Sequence, residues 1–419
     1  MPGLILSAPS SGSGKTTLAL GLLRALCRRG LEVRGAKSGP DYIDPRFHEA
    51  ACGKPSMNLD AWAMGAERIR ARAGGDGLLV VEGAMGLFDG APPDGRGATA
   101  DLARVLGLPV VLVVDAARMS HSVAALVEGF ARHDPDVRVA GVVLNRAGSP
   151  RHAAMLWQAL RNTGVPVLGA LPRDADLALP ERHLGLVQAA EHPDLARFID
   201  RAADSVAAHL DLEALVALAR DFETARLPPI DAPRRVAIAR DAAFAFTYAH
   251  ALHDWTRAGT TLLPFSPLAD EPVPPADLVF LPGGYPELHA PRIAAARTFL
   301  DSLRDAARTT TILGECGGYM VLGESLTDAA GTRHAMAGLL GLHTSFATRR
   351  LHLGYRTLES DWPALRGRFA GHEFHYATTL AAEGTPLWSA QDAEGTPLAP
   401  MGLREGRVAG SFAHVIDPI

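Results

Sequence analysis

Ser10-Ser-Gly-Ser-Gly-Lys-Thr-Thr17 decides the fold of the first half of this chain. It follows an apolar run, Leu4–Ser7, and opens a segment, Lys15–Arg29, in which Leu18, Leu22, Leu23 and Leu26 recur at helical spacing and Gly30 offers a stop. A glycine-rich turn between a strand and a helix lets backbone N–H groups and the helix N-terminus wrap a polyphosphate. Ser11, Gly12, Ser13, Gly14, Lys15, Thr16 and Thr17 are therefore the expected nucleotide contacts. In that frame Lys15 reaches the β- and γ-phosphates of ATP and the Thr16 hydroxyl holds Mg2+. The strict pattern wants glycine where this chain has Pro9, but the core of the loop and its strand-to-helix setting are intact.

Working outward, further Val/Leu-rich runs at Leu78–Val81, Val110–Val114, Val139–Leu144 and Val165–Leu168 alternate with amphipathic stretches. Strands that alternate with helices predict a largely parallel sheet covered on both faces, an α/β domain. The Gly/Pro-rich stretch Gly90–Gly97 reads as a loop. Leu227-Pro-Pro-Ile-Asp-Ala-Pro233 reads as a connector, which places one domain at 1–228 and another at 229–419. After it the pattern restarts, with strands expected at Arg235–Ala239, Thr261–Leu263, Leu278–Leu281 and Thr311–Gly314 and a helix from about Arg292 to Arg308. The second domain is thus α/β as well.

Length and composition agree. A chain of 419 residues with 47% apolar and 21% charged residues can build two buried cores. A net charge of -5 with no long basic run excludes nucleic acid as the expected partner. Three scattered cysteines, Cys27, Cys52 and Cys316, exclude a disulfide framework or a thiolate metal cluster and fit a reducing cytoplasm. Neither a secretory signal nor a run of membrane-spanning length is expected.

Two glycine-rich turns carry carboxylates: Lys37-Ser-Gly-Pro-Asp-Tyr-Ile-Asp-Pro45 and Glu82-Gly-Ala-Met-Gly-Leu-Phe-Asp-Gly90. Ligands of parallel sheets sit at the carboxyl ends of the strands. Glu82 is placed there to complete a magnesium site with Thr16 and Asp41, through the oxygen ligands that this hard ion prefers. Asp44 and Asp89 bind metal, orient substrate or cap their turns. Asn145, directly after the run Val139–Leu144, reads the adenine edge or serves the turn.

Thr311-Ile-Leu-Gly-Glu-Cys-Gly-Gly-Tyr319 ends a strand in a cysteine flanked by small residues, the build of a sharp elbow that lifts a thiol above a sheet. Phe280-Leu-Pro-Gly-Gly-Tyr-Pro-Glu287 ends another strand in a glycine turn, where the N–H groups of Gly284 and Tyr285 are expected to stabilise an oxyanion. A base is needed for Cys316, and His372, His375 and His414 are all candidates on sequence logic.

At this point the chain resembles the cobyrinic acid a,c-diamide synthase family, including the hydrogenobyrinic acid a,c-diamide synthases of the aerobic cobalamin route. The resemblance runs nearly end to end, through SGSGKTT, KSGPDYIDP, NLDAW (58–62), EGAMGLFDG, LPERHLGL (179–186), ARDAAFAFTY (239–248), FSPLAD (265–270), GGYPELHA (283–290), GECGGYM (314–320) and GHEFHY (371–376). It implies a dethiobiotin-synthetase-like, P-loop NTPase-like ATPase domain followed by a class I glutamine amidotransferase domain. It also implies that the base is His414, with His375 second. The glutamate usual two residues beyond that histidine is Ile416 here, which implies a Cys/His dyad.

The activity implied is a carbon-nitrogen ligase that uses ATP, Mg2+ and L-glutamine to amidate the a and c acetates of a corrin polycarboxylic acid through an acyl phosphate. Asp41, Tyr42, Asp44 and Asp89 are the residues expected near the substrate. A homodimer is the assembly entertained. The rival readings are amidation of a related tetrapyrrole such as nickel sirohydrochlorin and, from another class, a ParA-like ATPase switch carrying an inactive amidotransferase domain.

Overall fold

In the computed structural model the described residues are 1–177, 181–182 and 185–419. The chain divides into two compact units, Met1–Leu227 and Pro228–Ile419. Of the quoted motifs, only LPERHLGL falls partly outside the described residues, at Leu179, Pro180, His183 and Leu184. No helix among the described residues is long and apolar enough to cross a membrane.

The first unit is built on strands β1 (Pro2–Ser7), β2 (Val33–Ser38), β3 (Met57–Leu59), β4 (Leu78–Glu82), β5 (Val110–Asp115), β6 (Val139–Ala147) and β7 (Val167–Pro172). They pair in the order β3-β2-β4-β1-β5-β6-β7, and every pair in that path is parallel. A short strand, Arg220–Asp221, adds antiparallel to β1. The central strands are apolar throughout because both faces are covered; Leu4, Ile5, Val81, Val111 and Val113 are fully buried. The expected helix forms as Lys15–Arg28 and buries Leu18, Leu22, Leu23 and Leu26, each contributing roughly 1.5–3 kcal/mol of apolar burial. The order reverses where β1 lies between β4 and β5, and the phosphate loop leaves β1 there, the usual ligand crevice of such sheets.

The second unit has a six-stranded sheet, ordered Thr261–Phe265, Arg235–Ala239, Leu278–Leu281, Thr311–Glu315, Val408–Ser411 and Leu403–Glu405. All its pairs are parallel except the last. The helix expected over 292–308 is two helices, Ala290–Ala295 and Arg297–Ala306, because Ala296 at φ -76, ψ 76 leaves helical geometry between them. Two further four-stranded sheets follow the parallel one. One of them joins Ser389–Gln391, His352–Ser360, Gly367–His375 and Ala413–Pro418, all antiparallel. The chain passes from the parallel sheet into this one across a single residue, Phe412, between Ser411 and Ala413. Trp388 Nε1 donates to Ser411 Oγ at 3.1 Å, and that hydroxyl donates to the Ala413 carbonyl at 3.1 Å, which pins the crossing.

Candidate functional site

In the first unit the phosphate loop is closed on itself. Ser13 Oγ donates to the Ser10 carbonyl at 2.9 Å. Asn145 Nδ2 donates to the Ser13 carbonyl at 2.8 Å, and Arg146 Nη1 reaches the Gly12 carbonyl at 2.8 Å while pairing with Asp115 at 2.6 Å. Asn145 therefore braces the loop, and a pocket beside it is lined by Gly14, Thr17, Asn145, Arg146, Leu171 and Leu177. Lys15 Nζ donates to the Met85 carbonyl at 2.5 Å. Burial and the nearby charge of Lys37 bring its ammonium down to about 8.

Beneath the loop lies a buried polar network. Glu82 is fully buried at the end of β4. Its Oε1 accepts from Thr16 Oγ1 at 2.6 Å and Lys37 Nζ at 2.9 Å; its Oε2 meets His48 Nε2 at 2.7 Å, and His48 Nδ1 contacts Ser56 Oγ at 3.0 Å. Lys37 Nζ also donates to Asp44 Oδ2 at 2.5 Å. A single ammonium thus serves two buried carboxylates. Burial alone would discharge Lys37, but Asp44 and Glu82 overcome that and hold its affinity for the proton high. Burial and the like charge of Asp41 raise the proton affinity of the Asp44 carboxyl, and the Lys37 ammonium opposes them. Glu82 is held well below the usual carboxylate range, because Lys37 and the His48 hydrogen bond outweigh its burial.

The structure brings Thr16, Glu82 and Asp44 together, with Asp41 at the edge of the same cluster, its Oδ2 3.9 Å from Lys37 Nζ. Asp41 Oδ1 accepts the Ile43 and Asp44 N–H groups at 2.8 and 3.0 Å, capping the turn into the helix Asp44–Cys52. Asp44 Oδ2 lies 3.5 Å from Thr16 Oγ1, so Asp44 offers a further oxygen beside the expected trio Thr16, Asp41 and Glu82. The donor set of one hydroxyl and two carboxylates suits Mg2+. Tyr42 is buried, and Asp89 is exposed with one carboxylate oxygen on the Gly86 N–H at 2.9 Å. Lys37 and His48 were not among the expected site residues; the available signal was a lysine within a strand, Val33–Ser38, that is buried at every position.

In the second unit the strand Thr311–Glu315 ends at Cys316, whose φ of 47 and ψ of -103 are rare for any side-chain-bearing residue, and a helix, Gly317–Leu322, follows at once. Close approach explains the glycine after next: a Cβ on Gly318 would lie 1.9 Å from the Leu281 carbonyl oxygen. The same test at Gly283 locates the pair of interest. A Cβ there would meet His414 Cε1 at 2.4 Å, His414 Nε2 at 2.8 Å and Cys316 Cβ at 3.2 Å. Thiol and imidazole therefore converge on the glycine turn. Burial pushes the Cys316 thiol well above its ordinary range, Glu287 adds to this, and the Gly317 N–H opposes it with a hydrogen bond.

Gly284 N is 3.0 Å from the position of a Cβ on Gly317, so its N–H lies at the elbow. Tyr285 is fully buried, with its ring edge-to-face on Phe246 at 5.0 Å. Gly317, next to the nucleophile candidate, was missed as an N–H donor on sequence grounds, although the residue after an elbow nucleophile commonly supplies one.

The other histidines have different surroundings. His372 is paired in register with His414 on the neighbouring strand, and burial together with His414 and Arg356 brings its imidazole down to about 3. His375 Nε2 meets Glu373 Oε1 at 3.0 Å, and Arg356 holds Glu373 Oε2 from Nε and Nη2 at 3.0 and 2.8 Å. His352, Glu373 and His375 each offer a ligating atom within 4.8 Å of the others. The rings of His352 and His375, however, stack 4.6 Å apart and 5° from parallel, so no single ion lies in the plane of both.

Residues 4–187 match the CobQ/CobB/MinD/ParA nucleotide binding domain, and residues 235–417 match the CobB/CobQ-like glutamine amidotransferase domain. The hydrogenobyrinate a,c-diamide synthase of Brucella abortus is 55% identical over 438 residues, covering 100% of this chain and 99% of that one. The chain belongs to the a,c-diamide synthase family. Members of that name from Rhodobacter capsulatus, at 56% identity over 99% of this chain and 98% of the relative, and from Rhizobium meliloti, at 56% over 100% and 99%, agree. As in the a,c-diamide synthase reading of the sequence, a nucleotide-binding domain precedes a glutamine amidotransferase domain.

Proposed function

We propose that this chain amidates the a and c acetate side chains of hydrogenobyrinate, in cobalamin biosynthesis, spending ATP and glutamine. The observation that carries the proposal is the alignment of relatives bearing that name along the whole chain, both domains included.

A carboxylate is a poor acyl donor because oxide is a poor leaving group, so the γ-phosphoryl group of ATP passes to a substrate carboxylate oxygen and ADP departs. Positioning and charge neutralisation carry such a transfer. Lys15, released from the Met85 carbonyl, faces the β- and γ-phosphates, and Lys37 supplies a second cation at the strand ends. Asn145 and the adjacent pocket receive the adenine. Thr16, Glu82 and Asp44 would hold Mg2+, which shields phosphate charge when bound. Asp41, Tyr42, Asp44 and Asp89 lie on the two turns that face the reacting acetate.

At the other site the Cys316 thiol gives its proton to His414, and the sulfur attacks the side-chain carbonyl carbon of glutamine. The N–H groups of Gly284 and Gly317 receive the oxyanion, with Tyr285 a lesser candidate. The C–N bond breaks, His414 returns the proton to the departing nitrogen, and water releases glutamate from the thioester. Ammonia then attacks the acyl phosphate and phosphate leaves. Two such rounds give the a,c-diamide.

Product mass after incubation with hydrogenobyrinate, ATP, Mg2+ and either glutamine or ammonium tests this reading. Cys316→Ala should lose the glutamine-driven product and keep the ammonium-driven one. Lys15→Ala should lose both, and amidation by Lys15→Ala at the parent rate would refute the activation step.

A further inference from the structure

Ile416 stands where a carboxylate partner for His414 is expected, yet a carboxylate reaches the imidazole from elsewhere. Glu315 Oε2 lies 3.4 Å from His414 Nδ1, and both side chains are buried. The other oxygen, Oε1, accepts the Val415 N–H at 3.0 Å, which fixes the carboxylate against rotation. We infer that Glu315, the residue immediately before the nucleophile, is the positioning carboxylate of the glutaminase site, completing a Cys316–His414–Glu315 triad; the inference rests on the Cys316/His414 reading above.

The backbone explains how adjacent residues serve one imidazole. Successive side chains of a strand point to opposite faces, so Glu315 and Cys316 would diverge if the strand continued. The positive φ of Cys316 breaks the alternation at that residue. The Cε1–Nε2 edge of His414 faces Gly283 and Cys316, while Nδ1 is the atom near Glu315. In the triad a small rotation closes the 3.4 Å gap to a hydrogen bond, and a proton on Nδ1 drawn to Glu315 leaves the Nε2 lone pair for the thiol proton. When Nε2 takes that proton, the imidazolium gains an ionised partner, and Glu315 itself stays deprotonated throughout. The thiol has particular need of this help, because its burial among carboxylates opposes spontaneous ionisation.

Glu315→Gln isolates the effect. Its amide oxygen still accepts from Val415 N–H, while its NH2 group faces Nδ1 and demands an acceptor there, which moves the imidazole proton to Nε2. We expect kcat for glutamine-driven amidation to fall on the order of 100-fold with KM for glutamine little changed, as for loss of a general base. Alkylation of Cys316 by iodoacetamide should slow in parallel, with ammonium-driven amidation reporting that the chain is folded. Parental kcat and alkylation rate in Glu315→Gln would overturn the inference. A measurement on the unaltered chain guards against a variant that does not fold: 15N spectra of labelled histidine, with His414→Gln for assignment, should show the Nδ1-protonated neutral tautomer, and an Nε2-protonated ring would overturn the assignment. Glutamine-driven turnover by Cys316→Ala would instead sink the underlying nucleophile reading, so the two failures are distinguishable.

Discussion

Lys37 and Glu82 stand opposite each other in register on adjacent parallel strands and meet as a fully buried ion pair of 2.9 Å. Removing one member of such a pair leaves an uncompensated charge, which costs about 3–5 kcal/mol. Lys37→Met should therefore lower the stability of the first unit by that order in thermal or urea unfolding. It should also abolish amidation from both nitrogen donors. A variant as stable as the parent would contradict the network described.

Gly283 lies against His414 and Cys316 alike. Gly283→Ala should push the imidazole away from the thiol and reduce glutamine-driven amidation at least 10-fold, in line with the cost of misplacing a catalytic group. Ammonium-driven product should persist, since the first unit is untouched. Equal loss with both donors would show that the substitution unfolds the chain instead.

Asn145 ties its amide to the carbonyl of Ser13 in the phosphate loop. Asn145→Ala removes one hydrogen bond to a partly buried carbonyl, a loss of about 1–3 kcal/mol. Calorimetric titration with ATP should show affinity weakened roughly 5- to 100-fold. Binding indistinguishable from the parent would mean that the loop keeps its shape without this brace.

His372 predicts a pH dependence. Its imidazole is held neutral down to about 3, through burial and the neighbouring His414 and Arg356, whereas an unfolded histidine protonates near 6.5. Between those values the unfolded chain binds the extra proton, so stability falls as pH drops below about 6.5 and stops falling from this cause near 3. Above that window His372 contributes no slope. His372→Gln should flatten the acid limb by on the order of a few kcal/mol, read from urea unfolding at pH 4 to 7. An unchanged acid limb would assign the loss to other groups.

Much of this architecture is legible in the sequence where the signal is local. Strands Arg235–Ala239 and Leu278–Leu281 have the expected bounds because each is an apolar run closed by a turn residue. The strand Val33–Ser38 escaped because Arg34 and Lys37 interrupt its apolar pattern, and what makes Lys37 tolerable inside is a carboxylate 45 residues away. Asp41 and Asp44 look alike in KSGPDYIDP; the turn geometry gives one Asp41 oxygen to the backbone and leaves the other 3.9 Å from Lys37, while Asp44 bonds Lys37 directly. The antiparallel strands after Ser325 carry weak alternation, since many face partly open surroundings. Glu315 was hidden by its separation from Val415, 100 residues along the chain.

The single-residue passage at Phe412 has a mechanical consequence. Cys316 N–H is anchored to the Ser411 carbonyl at 2.8 Å on one side of that passage, and His414 is the second residue of the strand on the other side. Thiol and imidazole therefore stand on the two sides of one short covalent passage, so the angle at which the sheets meet there sets the separation the proton has to cross.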